Sequence, residues 1–110
     1  MAAARLSLWL PVVAWAGVIF ALSSIPSLAT GLGTWDLVLR KLAHFAEYAV
    51  LGALLYRAVG REPAAIAVAA AYAVTDEVHQ VFVRGRHGSP LDWLVDAAGA
   101  TAGVVLVARR

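Results

Sequence analysis

A chain of 110 residues that is 62% hydrophobic and 15% charged, with a mean hydropathy of +0.77, is too apolar for a soluble domain of its size and points to a bilayer as its solvent. The absence of cysteine excludes a disulfide framework and a thiolate-bound metal. A net charge of +2, arising mostly from arginines near the ends of apolar runs, reads as membrane anchoring and excludes a nucleic-acid-binding stripe.

A spanning helix needs about 20 mostly apolar residues, and four runs of that kind follow one another along the chain. The first extends from Leu6 to Ser24, after Arg5 and before the breakers Pro26, Gly31 and Gly33. Its basic flank and small residues near Ser23 also fit a cleavable signal sequence, but the apolar stretch is long enough to span and favours retention. The second extends from Leu37 to Val59 and is closed by Gly60-Arg61-Glu62-Pro63. Pro63, a residue favoured in a first helical turn, opens the third, which continues through an alanine-rich stretch to Phe82 and the turn Gly85-Arg86-His87-Gly88-Ser89. The fourth runs from Pro90 to Val107 and leaves a basic tail, Arg109 and Arg110. The expected fold is all-α, an integral membrane bundle of four transmembrane helices at 6–24, 37–59, 63–82 and 90–107, in one domain over 1–110.

With both termini in the cytoplasm, Arg5, Arg57, Arg61, Arg109 and Arg110 lie inside, against Arg40, Lys41, Arg84 and Arg86 outside. The acids are more one-sided. Asp36, Glu47, Asp76, Glu77, Asp92 and Asp96 fall in the half that contains the first and third loops, and only Glu62 falls in the other. A multi-pass protein of the cell membrane with a polar outer face is therefore expected. Trp9, Trp35 and Trp93, near run ends, are expected as interface anchors, and Trp15 as lipid-facing or core.

The ionisable residues form stripes. Lys41, His44 and Tyr48 follow one another at helical spacing on the second helix, with Glu47 about 60° to the side of His44. Tyr72, Asp76, His79 and Gln80 share a face of the third, with Glu77 within a turn of Gln80; Asp92 and Asp96 stand above Gly99 and Gly103 on the fourth. In any four-span hairpin arrangement the start of the second helix, the end of the third and the start of the fourth meet at one membrane face, so the stripes should converge. An intramembrane charge costs about 2.5–3.5 kcal/mol on insertion scales, which favours mutual pairing or a wet pocket. Mere scaffolding, in which Lys41, Arg84 and Arg86 pair with Asp76, Glu77, Asp92 and Asp96, is the plainer account, but interhelical polar contacts return too little for so many insertions and a functional pocket is favoured; for Gly99-x-x-x-Gly103 close helix packing is the favoured account.

Two ligand chemistries fit the stripes. His44, Glu47, Asp76, Glu77, His79 and Asp92 include donors for zinc or iron, but no metal signature is present and Lys41 beside them would repel a cation, so neither a metal nor any other cofactor is expected. An anionic head group suits the basic members better. Lys41, Arg84 and Arg86 form a candidate clamp, Gly85 and Gly88 permit close approach of the loop, and His44 with nearby acids offers a proton relay if chemistry occurs.

With these residues laid out, the chain resembles the VanZ-like family of small bacterial membrane proteins over nearly its whole length. The motifs that carry the resemblance are Phe20-Ala-Leu-Ser23-Ser24, Lys41-x-x-His44-Phe45-x-x-Tyr48-x-x-Leu51-Gly52, Asp76-Glu77-x-His79-Gln80-x-Phe82 with Gly85-Arg86, and Asp92-x-x-x-Asp96-x-x-Gly99-x-x-x-Gly103. The resemblance implies Lys41, His44, Tyr48, Glu77, Gln80, Arg86 and Asp92 as core residues and leaves Glu47, Asp76 and His79 outside that set; Asp96 stands where many relatives have asparagine. It also implies an envelope role at the outer membrane face, linked to glycopeptide (teicoplanin) resistance, without supplying a reaction.

Two functions are carried forward. One is binding or modification of an anionic, lipid-linked envelope component, such as a cell-wall precursor. His44, Glu77 and Asp92 would be its acid–base set, and Lys41, Tyr48, Gln80, Arg84 and Arg86 its ligand-binding residues. The other is a non-catalytic membrane scaffold or partner-binding protein whose charges fix helix register. Membrane lipids are the expected partners in both.

Overall fold

The computed structural model describes residues 2–23, 34–82 and 90–109, and side chains are described for most of these. They form four α-helices and, among the described residues, no strand: α1 (Ala2–Ser23), α2 (Thr34–Val59), α3 (Glu62–Val81) and α4 (Pro90–Ala108). All four expected helices are present. α2 starts three residues earlier than Leu37, where Thr34 and Asp36 supply residue types that favour a helix N-terminus. The breakers after Ser23 and the turn Gly85-Arg86-His87-Gly88-Ser89 lie outside the described residues.

Local chemistry explains the α2–α3 corner. Gly60 adopts a positive φ of 79°, and its N–H donates to the Tyr56 carbonyl at 2.8 Å, which closes α2 with the left-handed residue that glycine accepts without strain. α3 follows at once, with Glu62 and Pro63 in its first turn. Pro11 sits within α1, where it removes one backbone donor; helices in apolar surroundings tolerate this.

The helices are 22, 26, 20 and 19 residues long, and at 1.5 Å per residue the shortest rises about 28 Å, close to a hydrocarbon core of about 30 Å. By length and composition two segments qualify as membrane spans, Arg5–Leu22 in α1 and Leu91–Ala108 in α4. Only 11% and 28% of their residues are buried, far less than in the core helix of a water-soluble protein. α2 and α3 are long enough but are not among the segments that qualify on composition.

The packing is small inside and large outside. Ala65, Ala69 and Ala73 form an i, i+4, i+8 stripe on α3 with no exposure, while Val68, Val74 and Val78 of the same helix are exposed. α1 likewise buries Val12 and Ile19 but exposes Leu6, Leu10, Val13, Phe20 and Leu22. Small residues at the contacts and branched residues at the periphery are how helices pack when their surroundings are as apolar as their interior. The alanine-rich stretch is thus a packing face.

α2 and α4 share the most extensive interface. A β-carbon on Gly52 would strike the carbonyl oxygen of Ala100, one on Gly99 that of Phe45, and one on Gly103 that of Ala49. The packing role expected of Gly99-x-x-x-Gly103 is therefore borne out, and Gly52 joins it from the opposite helix. Two tryptophans hold the other contacts. The Trp15 indole donates to the Glu47 carbonyl at 2.8 Å, joining α1 to α2. Trp93, expected as an interface anchor, instead packs against the core and donates to the Ala70 carbonyl at 3.0 Å, because its ring turns toward the small face of α3.

Gly103→Ala should therefore destabilise the protein by about 1–3 kcal/mol, the usual cost of forcing extra volume into a full contact. Gly17→Ala, where an added β-carbon meets nothing within 4 Å, should be neutral or stabilising by up to about 1 kcal/mol. Unfolding of both variants in detergent, followed by circular dichroism, tests the contrast.

Candidate functional site

The polar stripes meet where the N-terminal halves of α2 and α4 lie beside the C-terminal half of α3. α2 and α4 run parallel, so their residues pair in the same order along the chain. The Lys41 ammonium donates to Asp92 Oδ1 at 2.7 Å, and the His44 Nδ1 lies 3.0 Å from Asp96 Oδ1. α3 runs the other way and places Asp76 opposite Tyr48, whose hydroxyl donates to Asp76 Oδ2 at 2.9 Å.

These three pairs form a ladder graded from accessible to buried. The side chains of Lys41 and Asp92 are 27% and 29% exposed, and those of His44 and Asp96 are 14% and 3% exposed. Tyr48 is fully buried and Asp76 is 3% exposed. One carboxylate atom is left over: Asp76 Oδ1 is buried and has no hydrogen-bond partner. His44, Asp76 and Asp96 each present one donor atom within 4.8 Å of the other two, which makes them the candidate metal-binding group among the described residues.

Around the ladder, Tyr72 donates from its hydroxyl to the Ala16 carbonyl at 2.6 Å, and His79 stacks on Phe20 with ring centroids 4.3 Å apart. Both contacts tie α3 to α1. Thr75 and Thr101 return their hydroxyl protons to carbonyls of their own helices, Tyr72 and Ala97, so neither presents an unsatisfied donor.

Of the residues singled out in the sequence, the structure brings Lys41, His44, Tyr48 and Asp92 into the ladder. Glu77 is half-buried on α3, beside the fully enclosed Asp76. Gln80 belongs to the last turn of α3, with its side chain outside the described residues, as are Arg84 and Arg86. Asp76, named in the sequence only as a possible metal donor, and Asp96, named there without a role, form the buried end of the site. The signal for Asp96 was available: if α2 and α4 are parallel, Asp96 follows Asp92 as His44 follows Lys41. Which of the adjacent acids Asp76 and Glu77 turns inward depends on the rotation of α3, which its alanine face sets.

A double-mutant cycle on Tyr48→Phe and Asp76→Asn should give a larger coupling energy than one on Lys41→Met and Asp92→Asn. The expected values are about 1–2 kcal/mol for the enclosed pair and below about 1 kcal/mol for the accessible one. Detergent unfolding of the two sets of variants measures both.

Comparison with protein-family models matches the chain to the VanZ/LLP1 model over residues 4–109, which includes all four helices and the whole ladder. No curated protein and no solved structure matches it.

Proposed function

This chain belongs to the VanZ/LLP1 family, and from that premise we propose that it is a four-span protein of the cell membrane, with both termini cytoplasmic, that binds an anionic, lipid-linked component of the cell envelope at the outer face. The link to glycopeptide resistance is part of this proposal. Two apolar spans and the large side chains exposed along α1, α3 and α4 support the membrane assignment. The remaining two spans rest on helix length and on the pairing that compensates the charges of α2 and α3.

The observation that carries the ligand reading is the accessible end of the ladder. An ion pair open to solvent is worth about 0–1 kcal/mol, so the Lys41 ammonium can exchange the Asp92 carboxylate for a phosphate oxygen at little cost. Arg86, and Arg84 beside it, would complete the clamp with planar donors suited to phosphate. Gln80 would line the approach, whereas Tyr48, expected there too, is fully buried and would act behind the site by holding Asp76. If a reaction follows binding, His44 is the base, oriented by Asp96 as a carboxylate orients an imidazole in acid–base sites, with Asp92 and Glu77 as proton carriers.

The scaffold reading is supported by the same ladder, because all three of its pairs cross between helices and satisfy one another. Conservative variants separate the two. Under ligand binding, Glu77→Gln and His44→Gln remain folded and inserted while the cellular phenotype is lost. Under scaffolding, loss of phenotype always follows loss of folded protein.

Two measurements test the main reading. Arg86→Lys keeps the charge but loses the two-point contact, so binding of an anionic lipid to the purified protein should weaken by about tenfold at equal folded amount. Equal affinity and equal salt dependence would remove Arg86 from the site. For topology, cysteines placed at Gly33 and Gly88 should react with an impermeant reagent from outside, and one near Arg61 should not; the reverse pattern would invert the orientation.

A further inference from the structure

The deep end of the ladder holds an arrangement that headgroup binding does not use. Asp76 is 3% exposed, and while its Oδ2 accepts the Tyr48 hydroxyl, its Oδ1 is buried without a donor. A buried polar atom left unmet costs about 1–3 kcal/mol and more when charged, so each such atom in a native structure needs an explanation. This one lies on a carboxylate that shares a 4.8 Å cluster with the Asp96 carboxylate and the His44 ring. Two carboxylates and an imidazole face one another there. The nearby ammonium, Lys41, pairs with Asp92 at 2.7 Å, and that carboxylate, or a phosphate in its place, offsets the repulsion it would otherwise exert on a second cation.

We propose that His44, Asp76 and Asp96 form a binding site for a divalent transition-metal cation of the zinc type, held by one imidazole nitrogen and two carboxylate oxygens. A divalent charge neutralises two buried carboxylates in one step, without the long side chain that an arginine or lysine would need to reach them. Donors bound at about 2.0–2.2 Å from one tetrahedral ion lie about 3.3–3.6 Å apart, so separations within 4.8 Å close onto it through side-chain movements of about 1 Å or less. A nitrogen donor with two oxygens suits zinc better than magnesium, which favours oxygen and retains its water. Tyr48 supports the site by fixing Asp76 through the other carboxylate oxygen, which leaves Oδ1 as the one to bind. Three protein ligands leave a fourth position for a water or another oxygen donor.

The site goes beyond headgroup binding and stands without it. Lipid affinity depends on Lys41 and Arg86, whereas the cation depends on His44, Asp76 and Asp96, so either can fail alone. With the ion bound, His44 is a ligand and no longer a free base.

The test uses the purified full chain in detergent, stripped with a chelator and titrated with zinc chloride by calorimetry. The expected result is saturation at one zinc per chain, with no binding of magnesium at the same concentrations. Asp76→Asn, which preserves shape and an acceptor for Tyr48, should weaken zinc binding by about tenfold or more. Glu62→Gln, at the opposite end of the bundle, should leave it unchanged. X-ray absorption at the zinc edge of the wild-type protein gives a readout independent of any variant's folding: oxygen and nitrogen neighbours only, with outer-shell scattering from a single imidazole. Absence of saturable zinc binding would overturn the proposal. So would equal binding of magnesium, affinity unchanged in folded Asp76→Asn, or scattering from two or more imidazoles.

Discussion

Where α2 and α4 run side by side, backbone meets backbone, because Gly52, Gly99 and Gly103 carry no β-carbon at positions where one would strike the carbonyls of Ala100, Phe45 and Ala49. The polar pairs between these two helices are arranged by that approach. Asp92 and Asp96 are short side chains, and they reach Lys41 and His44 because the two helices lie so close. Gly99 and Gly103 sit one and two turns beyond Asp96 on its own stripe, so the sequence that brings the helices together also aims the acids.

α3 closes the third side by a related device. Its alanine stripe allows it to lie close to the bundle, and its rotation then sends Asp76 inward to Tyr48 while the valines on its far side face outward. α1 contributes no ionisable group to the ladder; its links are the Trp15 indole, the Ala16 carbonyl and the Phe20 ring. The protein thus separates two tasks. Three helices carry the polar chemistry, and the fourth covers them with an apolar face.

Much of this was legible in the sequence. Run lengths bounded by Gly60-Arg61-Glu62-Pro63 and by Pro90 located the helices, because proline and glycine act locally. The convergence of the stripes followed from hairpin topology alone, and the glycine pair was readable as packing. Rotation was harder to read. Periodicity groups residues on a face but cannot say which of two adjacent acids, Asp76 or Glu77, is enclosed, and that was decided by tertiary contacts with Tyr48. Trp93 was misread for a similar reason: its position near a run end suggested an interface anchor, whereas its ring found the small side chains of α3. A composition test along one helix leaves α2 and α3 out, and no such window can detect that their ionisable residues have partners on other helices.

The parallel pairing of α2 with α4 also has a consequence in time. Lys41 and Asp92 are 51 residues apart, and His44 and Asp96 are 52 apart. At synthesis rates of about 5–20 residues per second, the polar residues of α2 are made about 3–10 seconds before their partners on α4. For that interval its ammonium and imidazole have no carboxylate from α4 to meet, whereas the partner of the Trp15 indole, the Glu47 carbonyl, follows it by only 32 residues. A nascent chain halted before Asp92 carries the sequences of α1, α2 and α3 but neither of the α2–α4 pairs, so the bundle reaches its final polar arrangement only when its last helix arrives.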